Sequence, residues 1–408
     1  MQLVERHIIR NNKAVEDLCF KAARLYNFVN YHRRHMFFGN IEYCGEYEMS
    51  GLLSEFDQDD FRNLPAQTGQ QVIKQVYADW TSYYAGNKDY FIHPEKYKGK
   101  PNIPRYKDKK GYFECVFTNQ QVKLKEGHVH FPKATNLEPL KTNTDNVCQV
   151  RITPKTSCFV IEVVYNFTEQ KAKREDNERK IEKHELDYTK FVALDAGMDN
   201  LFTSINNAGL RPFIINGKIA KSFNQWFNKS RAKLQSYLPP NKYMSNRIRD
   251  LDFYRFCWME DKIHKVSTFI VDECLEHNIG NLFIGKNPQW KDSLNFGNKT
   301  NQHFICLPIA KFIDRIVYKA EMAGIKVTLT EESYTSKVDH LAYETMEHHE
   351  KYLGKRLKRG IFQSSIGKLI NADVNGAIGI ARKVFGDSVI AQILDSGFAF
   401  NPFKLNII

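Results

Sequence analysis

The run Phe191-Val-Ala-Leu-Asp195 constrains the fold of this 408-residue chain more than any other segment. Four apolar residues in succession suit a strand covered on both faces, as in the middle of an α/β sheet. The run ends on an aspartate followed by Ala196-Gly197, which puts a carboxylate at the strand's carboxyl end beside thinly covered backbone. Leu201 to Ile205 and Pro212 to Ile215 follow at hairpin spacing. Helical periodicity then occupies 221–237 and 244–278, with a strand at Asn281 to Ile284, a helix at 308–323, a strand at Ile325 to Thr330 and a last helix at 371–384.

Three consecutive strands followed by helix, strand, helix, strand and helix is the order of an RNase H-like sheet. In such a sheet the end of the first strand and the start of the last helix converge, which brings Asp195 to Asp373 in Ile370-Asn-Ala-Asp-Val-Asn-Gly-Ala377. Carboxylates so placed hold a pair of Mg²⁺ ions, or Mn²⁺, for phosphodiester chemistry. Two acids are too few. The fourth strand, Asn281-Leu-Phe-Ile-Gly-Lys286, carries none, whereas its neighbour ends Thr330-Glu-Glu-Ser-Tyr-Thr-Ser-Lys337. Glu332 is the expected third ligand and Glu331 the reserve, although two adjacent glutamates at a strand end also suit plain surface.

The N-terminal half has a different pattern. An opening strand within 1–14 is followed by helical spacing from Val15 to Met36 and from Ala66 to Tyr84, a helical lobe over 15–92. Residues 93–110 are basic, carry three prolines and predict an extended segment rather than a long helix. Short β-rich runs at 113–117, 128–131, 148–152 and 159–165 predict a small antiparallel barrel or sandwich, and 168–187 reads as a charged linker or exposed helix.

With 59 Lys and Arg against 47 Asp and Glu the net charge is +12, which favours a nucleic-acid partner. No apolar run approaches the ~18 residues of a membrane span, and Met1 to Arg10 lacks a secretory signal's apolar stretch. A cytoplasmic protein with no membrane partner is expected. The eight cysteines contain no Cys-x-x-Cys pair, so they are expected to be reduced packing residues.

The segments Phe191 to Asn200, Ile284 to Lys291, Glu331 to Lys337 and Lys358-Arg-Gly-Ile-Phe with Leu369 to Ala377 resemble the TnpB family of transposon-encoded RNA-guided nucleases, relatives of the compact type V CRISPR effectors. Leu25-Tyr-Asn-Phe28, Leu64 to Gln71, His93 to Lys96 and Pro104 to Lys107 are similar as well. The resemblance implies a RuvC (RNase H-like) nuclease domain over 188–336 and 370–408, an insert that binds target nucleic acid over 337–369, and a wedge β-barrel (1–14 and 93–187) carrying the recognition lobe. It implies a prokaryotic protein with a guide RNA made from the transposon end, one chain per guide, and double-stranded target DNA beside a short motif. Asp195 and Asp373 map to the first and third catalytic acids. Gly285 stands where many relatives carry the second, and Glu332 matches relatives in which that glutamate is relocated. The zinc-holding cysteine pairs of many relatives are missing between Lys337 and Leu369, so no zinc is expected.

Candidate nucleic-acid contacts are Tyr26, Asn27, Arg33, Arg34, Gln67, Gln71 and Lys74 in the lobe, and Lys98, Lys100, Arg105 and Lys107 in the extended segment. In the second half they are Arg247, Arg249 and Lys265 on the long helix, Trp290, Lys291 and Lys337 in loops, and Lys355, Arg356, Lys358 and Arg359 in the basic run 351–368. Two other readings remain open on sequence: a guided DNA-binding repressor that does not cut, and a DNA-strand transferase.

Overall fold

The computed structural model describes residues 2–166, 185–286, 307–395 and 397–407, and the chain divides into two units, 1–180 and 181–408. Most of the linker expected over 168–187 lies outside the described residues, and among those described no helix is long and apolar enough to cross a membrane.

The first unit opens with β1 (Gln2–Ile9) and continues through α1 (Lys13–Phe37), α2 (Glu46–Glu55), α3 (Asp59–Arg62) and α4 (Ala66–Ile92). Then come β2 (Cys115–Thr118), β3 (Lys123–Lys125), β4 (His128–His130), β5 (Leu140–Lys141), β6 (Gln149–Pro154) and β7 (Phe159–Asn166). The first strand pairs antiparallel with the last in the order β1-β7-β6-β2, so the helices are an insertion between two strands of one sheet. A second sheet, β3-β4-β5, stands beside that pairing, and among the described residues the strands form two sheets rather than a closed ring. Helices and sheet share one core, with Leu25, Trp80, Phe117 and Ile152 all buried in it. Asn12 caps α1 by accepting from the Val15 N–H at 3.1 Å. The short α2 escapes a periodicity reading because it contains Gly51 and buries only Met49 and Leu53.

The second unit begins with β8 (Asp187–Ala196), β9 (Asn200–Asn206) and β10 (Phe213–Asn216), then α5 (Lys218–Ser236), α6 (Asn246–Glu276), β11 (Ile279–Gly285), α7 (Ile309–Met322) and β12 (Lys326–Thr330). A small antiparallel sheet of β13 (Lys355–Lys358), β14 (Ile361–Gln363) and β15 (Leu369–Asn371) leads into α8 (Ala372–Phe385), α9 (Ser388–Asp395) and β16 (Phe403–Leu405). The main sheet runs β12-β11-β8-β9-β10-β16; β9 is antiparallel to both neighbours, while β11 and β12 run with β8. The chain order of strands and helices and the pairing of β11 with β12 are as expected above, and the sheet is extended at one edge by β16, whose three residues Phe403–Leu405 are too few to announce a strand.

Alternation along β8 sorts the core. Val192 and Leu194 pack with α6 and α7, while Phe191 and Ala193 pack with α8 on the other face. On α6 the buried positions Met259, Ile263, Val266, Ile270 and Cys274 recur at helical spacing. Nearly every residue of α8 from Ala372 to Arg382 is buried, because the sheet covers one side and the 337–369 segment the other.

That segment is held by a buried polar network. Asp339, fully buried, accepts from Ser364 Oγ (2.9 Å), Ser365 N (2.7 Å) and Ser365 Oγ (2.9 Å). Glu344 accepts from the Asp339 and Leu353 N–H groups at 2.6 and 2.7 Å. Arg382 of α8 donates to the Glu344 carbonyl (3.0 Å) and to His340 Nδ1 (2.9 Å), which makes Nε2 the donor to the Thr335 carbonyl at 2.8 Å. Burial, with Arg382 adjacent, holds His340 down to about 4, so it is neutral at physiological pH. Asp339→Ala should orphan these donors and lower unfolding stability by about 3 kcal/mol, measured by urea titration. A zinc chelator should leave the melting temperature of the native chain unchanged.

Candidate active site

Because β8 alternates, Asp195 shares a face with Phe191 and Ala193, the face covered by α8. On β11 the register Ile284↔Leu194 puts Gly285 beside Asp195, and the β12 register Gly285↔Thr330 sends the chain on to Glu332 two residues later. Asp373 lies in the first turn of α8, where Asn371 caps the helix by accepting from the Asp373 and Val374 N–H groups at 2.9 and 3.4 Å. The helix dipole favours a carboxylate there.

Two glycines let the pieces close. A methyl group at Gly376 would stand 2.8 Å from Asp195 Oδ2, so only a glycine lets the helix approach the strand's end this closely. A methyl group at Gly285 would stand 2.6 Å from Glu332 Oε1 and 2.6 Å from Ile380 Cδ1. The Glu332 carboxylate therefore fills the space that a side chain on β11 would take. Glu331 is exposed and reaches no partner in this group.

The electrostatics follow from that closure. Burial pushes the Asp195 carboxyl well above the usual carboxylate range, with Glu332 and Asp373 adding like charge and Arg356 opposing them. Burial raises Glu332 to about 7 against the pull of Lys383, whose Nζ bonds Ser333 Oγ at 2.8 Å. Asp373 accepts from Asn200 Nδ2 at 2.6 Å and pairs with Arg356 at 3.4 Å. Opposite Asp195 on β9, the buried Thr203 hydroxyl has no partner. Among the described residues no three ligating side chains are drawn tightly enough to clasp one ion. The three acids lie near one another without sharing a centre. Hard carboxylate oxygens in cation deficit are nevertheless the donor set that suits Mg²⁺ or Mn²⁺, so the residues fit such ions.

Residues the sequence reading missed complete the rim. Asp199 pairs with Arg359 (2.6 Å) and Lys221 (3.1 Å), and Lys404 donates to Asn200 Oδ1 at 3.1 Å. The signal for Lys383 was available: Asp373, Gly376, Ile380 and Lys383 recur at one helical face.

The candidate contacts divide. Lys355, Arg356, Lys358 and Arg359 form an exposed basic hairpin, with Arg356 reaching Asp373 and Arg359 reaching Asp199. Lys337 is exposed near the Tyr352 ring, Arg247 and Arg249 are exposed, and exposed Lys265 pairs with Asp261 at 3.0 Å. Trp290 and Lys291 lie outside the described residues. In the first unit Lys74, Lys98, Lys100 and Arg105 are exposed and Gln71 is half-buried, while Gln67 bonds Gln120 (3.0 Å) and Thr118.

Four candidates on α1 make contacts within the first unit. Arg33 is 5% exposed and its guanidinium sits 4.8 to 5.5 Å from the rings of Tyr43, Tyr77 and Trp80, a cation–π cage. Tyr26 is buried with its hydroxyl on Asp79 at 2.6 Å. Asn27 and Arg34 are spent on the backbone of Lys107 and Pro104. Helical spacing alone does not say which polar residues face inward.

Residues 168–291 match the OrfB_IS605 family, described as "Probable transposase", and residues 310–380 match the "Cas12f1-like, TNB domain" family. The first match contains Asp195 and the second Glu332 and Asp373, so the resemblance to TnpB-type and compact effector proteins holds where the acids lie. Among curated proteins none matches. Similar solved structures include a Cas12f1–sgRNA–target DNA complex, 12% identical over 93% of this chain and 98% of that one with a TM-score of 0.36. Others are a CRISPR-Cas12f ternary complex (12%, 90% and 80%, TM-score 0.38) and the mini-RNA-guided endonuclease CRISPR-Cas phi3 (9%, 94% and 92%, TM-score 0.43).

Two outcomes follow. A raised Glu332 means that the folded, metal-free state holds its proton more tightly than the unfolded state, so native stability falls as pH rises from about 4.5 toward 7. Glu332→Gln should therefore melt higher than the native chain in EDTA above pH 7, by about 1–3 kcal/mol, and equally below pH ~4.5. Gly285→Ala, by displacing Glu332 from its buried place, should flatten that fall in stability, measured by urea titration in EDTA between about pH 4.5 and 8.

Proposed function

We propose that this protein is an RNA-guided DNA endonuclease whose RuvC-type site hydrolyses phosphodiester bonds. The observation that carries the reading is the meeting of Asp195, Glu332 and Asp373, from three separate segments, at one end of a sheet whose strands come in the expected chain order. The two family matches over the same segments support it.

The three carboxylates would hold two divalent ions, which supply the Lewis acidity and positive charge that phosphodiester cleavage needs. The chain's own residues do the rest. Asn200 fixes one oxygen of Asp373 and leaves the other facing Arg356. Lys383 and Ser333 anchor the loop that delivers Glu332. The exposed Lys355 to Arg359 hairpin presents guanidinium and ammonium groups to a target strand's phosphates. The guide RNA, made from a transposon end, would supply sequence recognition by pairing while the protein holds the heteroduplex by its backbone. A prokaryotic cytoplasm and one chain per guide accompany this reading.

The test is cleavage of a matched plasmid by the chain with its copurified RNA. Asp195→Ala and Asp373→Ala should bind the target and leave it uncut. Glu332→Ala should be inactive, whereas exposed Glu331→Ala should stay within about twofold of native. Intact plasmid with the native chain in Mg²⁺ would favour a guided repressor, and joined products a strand transferase.

A further inference from the structure

The first unit carries a cavity of about 410 Å³ that the nuclease reading does not use. It is lined by Tyr26, Asp79, Tyr83, Arg105, Tyr106 and Lys107, among others. Hydrogen bonds fasten one of its walls. Asn27 bonds both the N–H and the carbonyl of Lys107 (2.7 and 3.0 Å), while Asn30 and Arg34 hold the Pro104 carbonyl at 3.2 and 2.9 Å. The extended stretch 104–107 is thus fastened to α1 on one side, and α4 contributes Asp79 and Tyr83 on the other.

The lining has the chemistry of a base site. Tyr106 is 45% exposed and carries the Arg34 guanidinium over its ring at 4.5 Å, which leaves a flat aromatic surface in the cavity wall for stacking. Asp79 accepts from Tyr26 Oη (2.6 Å) and Gln75 Nε2 (2.8 Å), two of about four lone-pair positions a carboxylate offers. The remaining pair suits an edge with two adjacent donors. Exposed Arg105 brings donors to the same space, while Lys107 Nζ lies over the Tyr26 and Phe113 rings at 4.0 and 4.7 Å. Guanine alone among the common bases joins a two-donor edge, N1–H and N2–H, to an acceptor edge, O6 and N7. The carboxylate repels phosphate from the interior, so a phosphate would sit outside, by the exposed Arg105.

We propose that this cavity binds one unstacked guanine nucleotide, its base on Tyr106 and Asp79 and its phosphate at Arg105. The inference deepens the proposed function by naming a nucleotide the first unit reads, and its test needs neither guide nor cleavage. Isothermal titration of the full chain, without Mg²⁺, with 5′-GMP, dGMP, AMP and UMP should give saturable one-to-one binding of a guanine nucleotide. AMP and UMP should bind at least about tenfold more weakly. Tyr106→Ala, at an exposed position, should weaken binding about tenfold, and Asp79→Asn should erase the preference for guanine. A preference for GMP over dGMP assigns the nucleotide to RNA and the reverse to DNA; either supports the site. No saturation with GMP by about 10 mM, equal binding of all the nucleotides, or a Tyr106→Ala isotherm like the native one would overturn it. A chain that cuts guided DNA but ignores GMP loses only the cavity; one that binds GMP through Tyr106 but cuts nothing loses only the nuclease reading.

Discussion

The approach of α8 to the sheet is the constraint on which the rest of the second unit depends. Sheet and helix meet where one glycine leaves room for a carboxylate from the next strand and another leaves room for a carboxylate from the strand beneath. A Cβ at either position would meet the carboxylate that now fills the space, Glu332 at Gly285 and Asp195 at Gly376, and would displace it. Such a cluster of carboxylates is unfavourable by itself, since burial and the nearby Glu332 and Asp373 carboxylates raise the proton affinity of Asp195. Its persistence therefore depends on the apolar packing around it, where Phe191, Ala193 and Phe283 of the sheet bury the same helix.

One helix serves two sides. The stripe Asp373, Gly376, Ile380 and Lys383 faces the acids, whereas Asn375, Gly379 and Arg382 face the segment between β12 and β13. Asn375 Nδ2 bonds the Val338 carbonyl at 2.9 Å and Arg382 joins His340, Glu344 and Asp387. Most members of this network are satisfied, although the buried Asn375 Oδ1 has no partner. The network gives the segment a rigid attachment to the helix that carries Asp373, so the basic hairpin and the acids are referenced to one element. Thr335 and His340 follow Glu332 closely in sequence, and their bond to each other fixes the loop from which Glu332 projects.

What sequence reveals here is set by what kind of information each feature needs. The order of strands and helices, Asp195 at a strand end and Asp373 at a helix start are local properties, readable from periodicity and capping residues, and they appear where periodicity puts them. The choice of Glu332 over Glu331 is legible only as a neighbour relation between strands; what makes it physical is the missing side chain at Gly285, and that needs the register. The short elements α2 and β16 fall below the length at which a period can be counted. The roles of Asn200 and Asp199 depend on partners more than a hundred residues away, Asp373 and Arg359, and no local pattern encodes them.

The same limit explains the helical lobe. Positive and aromatic residues on α1 look alike in sequence whether they face a duplex or a core, and Arg33 is the case that separates the two. Three rings surround its guanidinium, so its charge stabilises the lobe and is spent before any phosphate arrives. Asn27 and Arg34 are likewise committed, to the backbone of the extended segment. The net charge of +12 therefore overstates what the first unit offers to nucleic acid through α1. It understates what the extended segment offers, because the α1 side chains hold Arg105 and Tyr106 at a fixed edge. A contact surface whose backbone is already fastened loses less entropy on binding than a free loop of the same charge, and that preorganisation favours selective contact over simple attraction to phosphate.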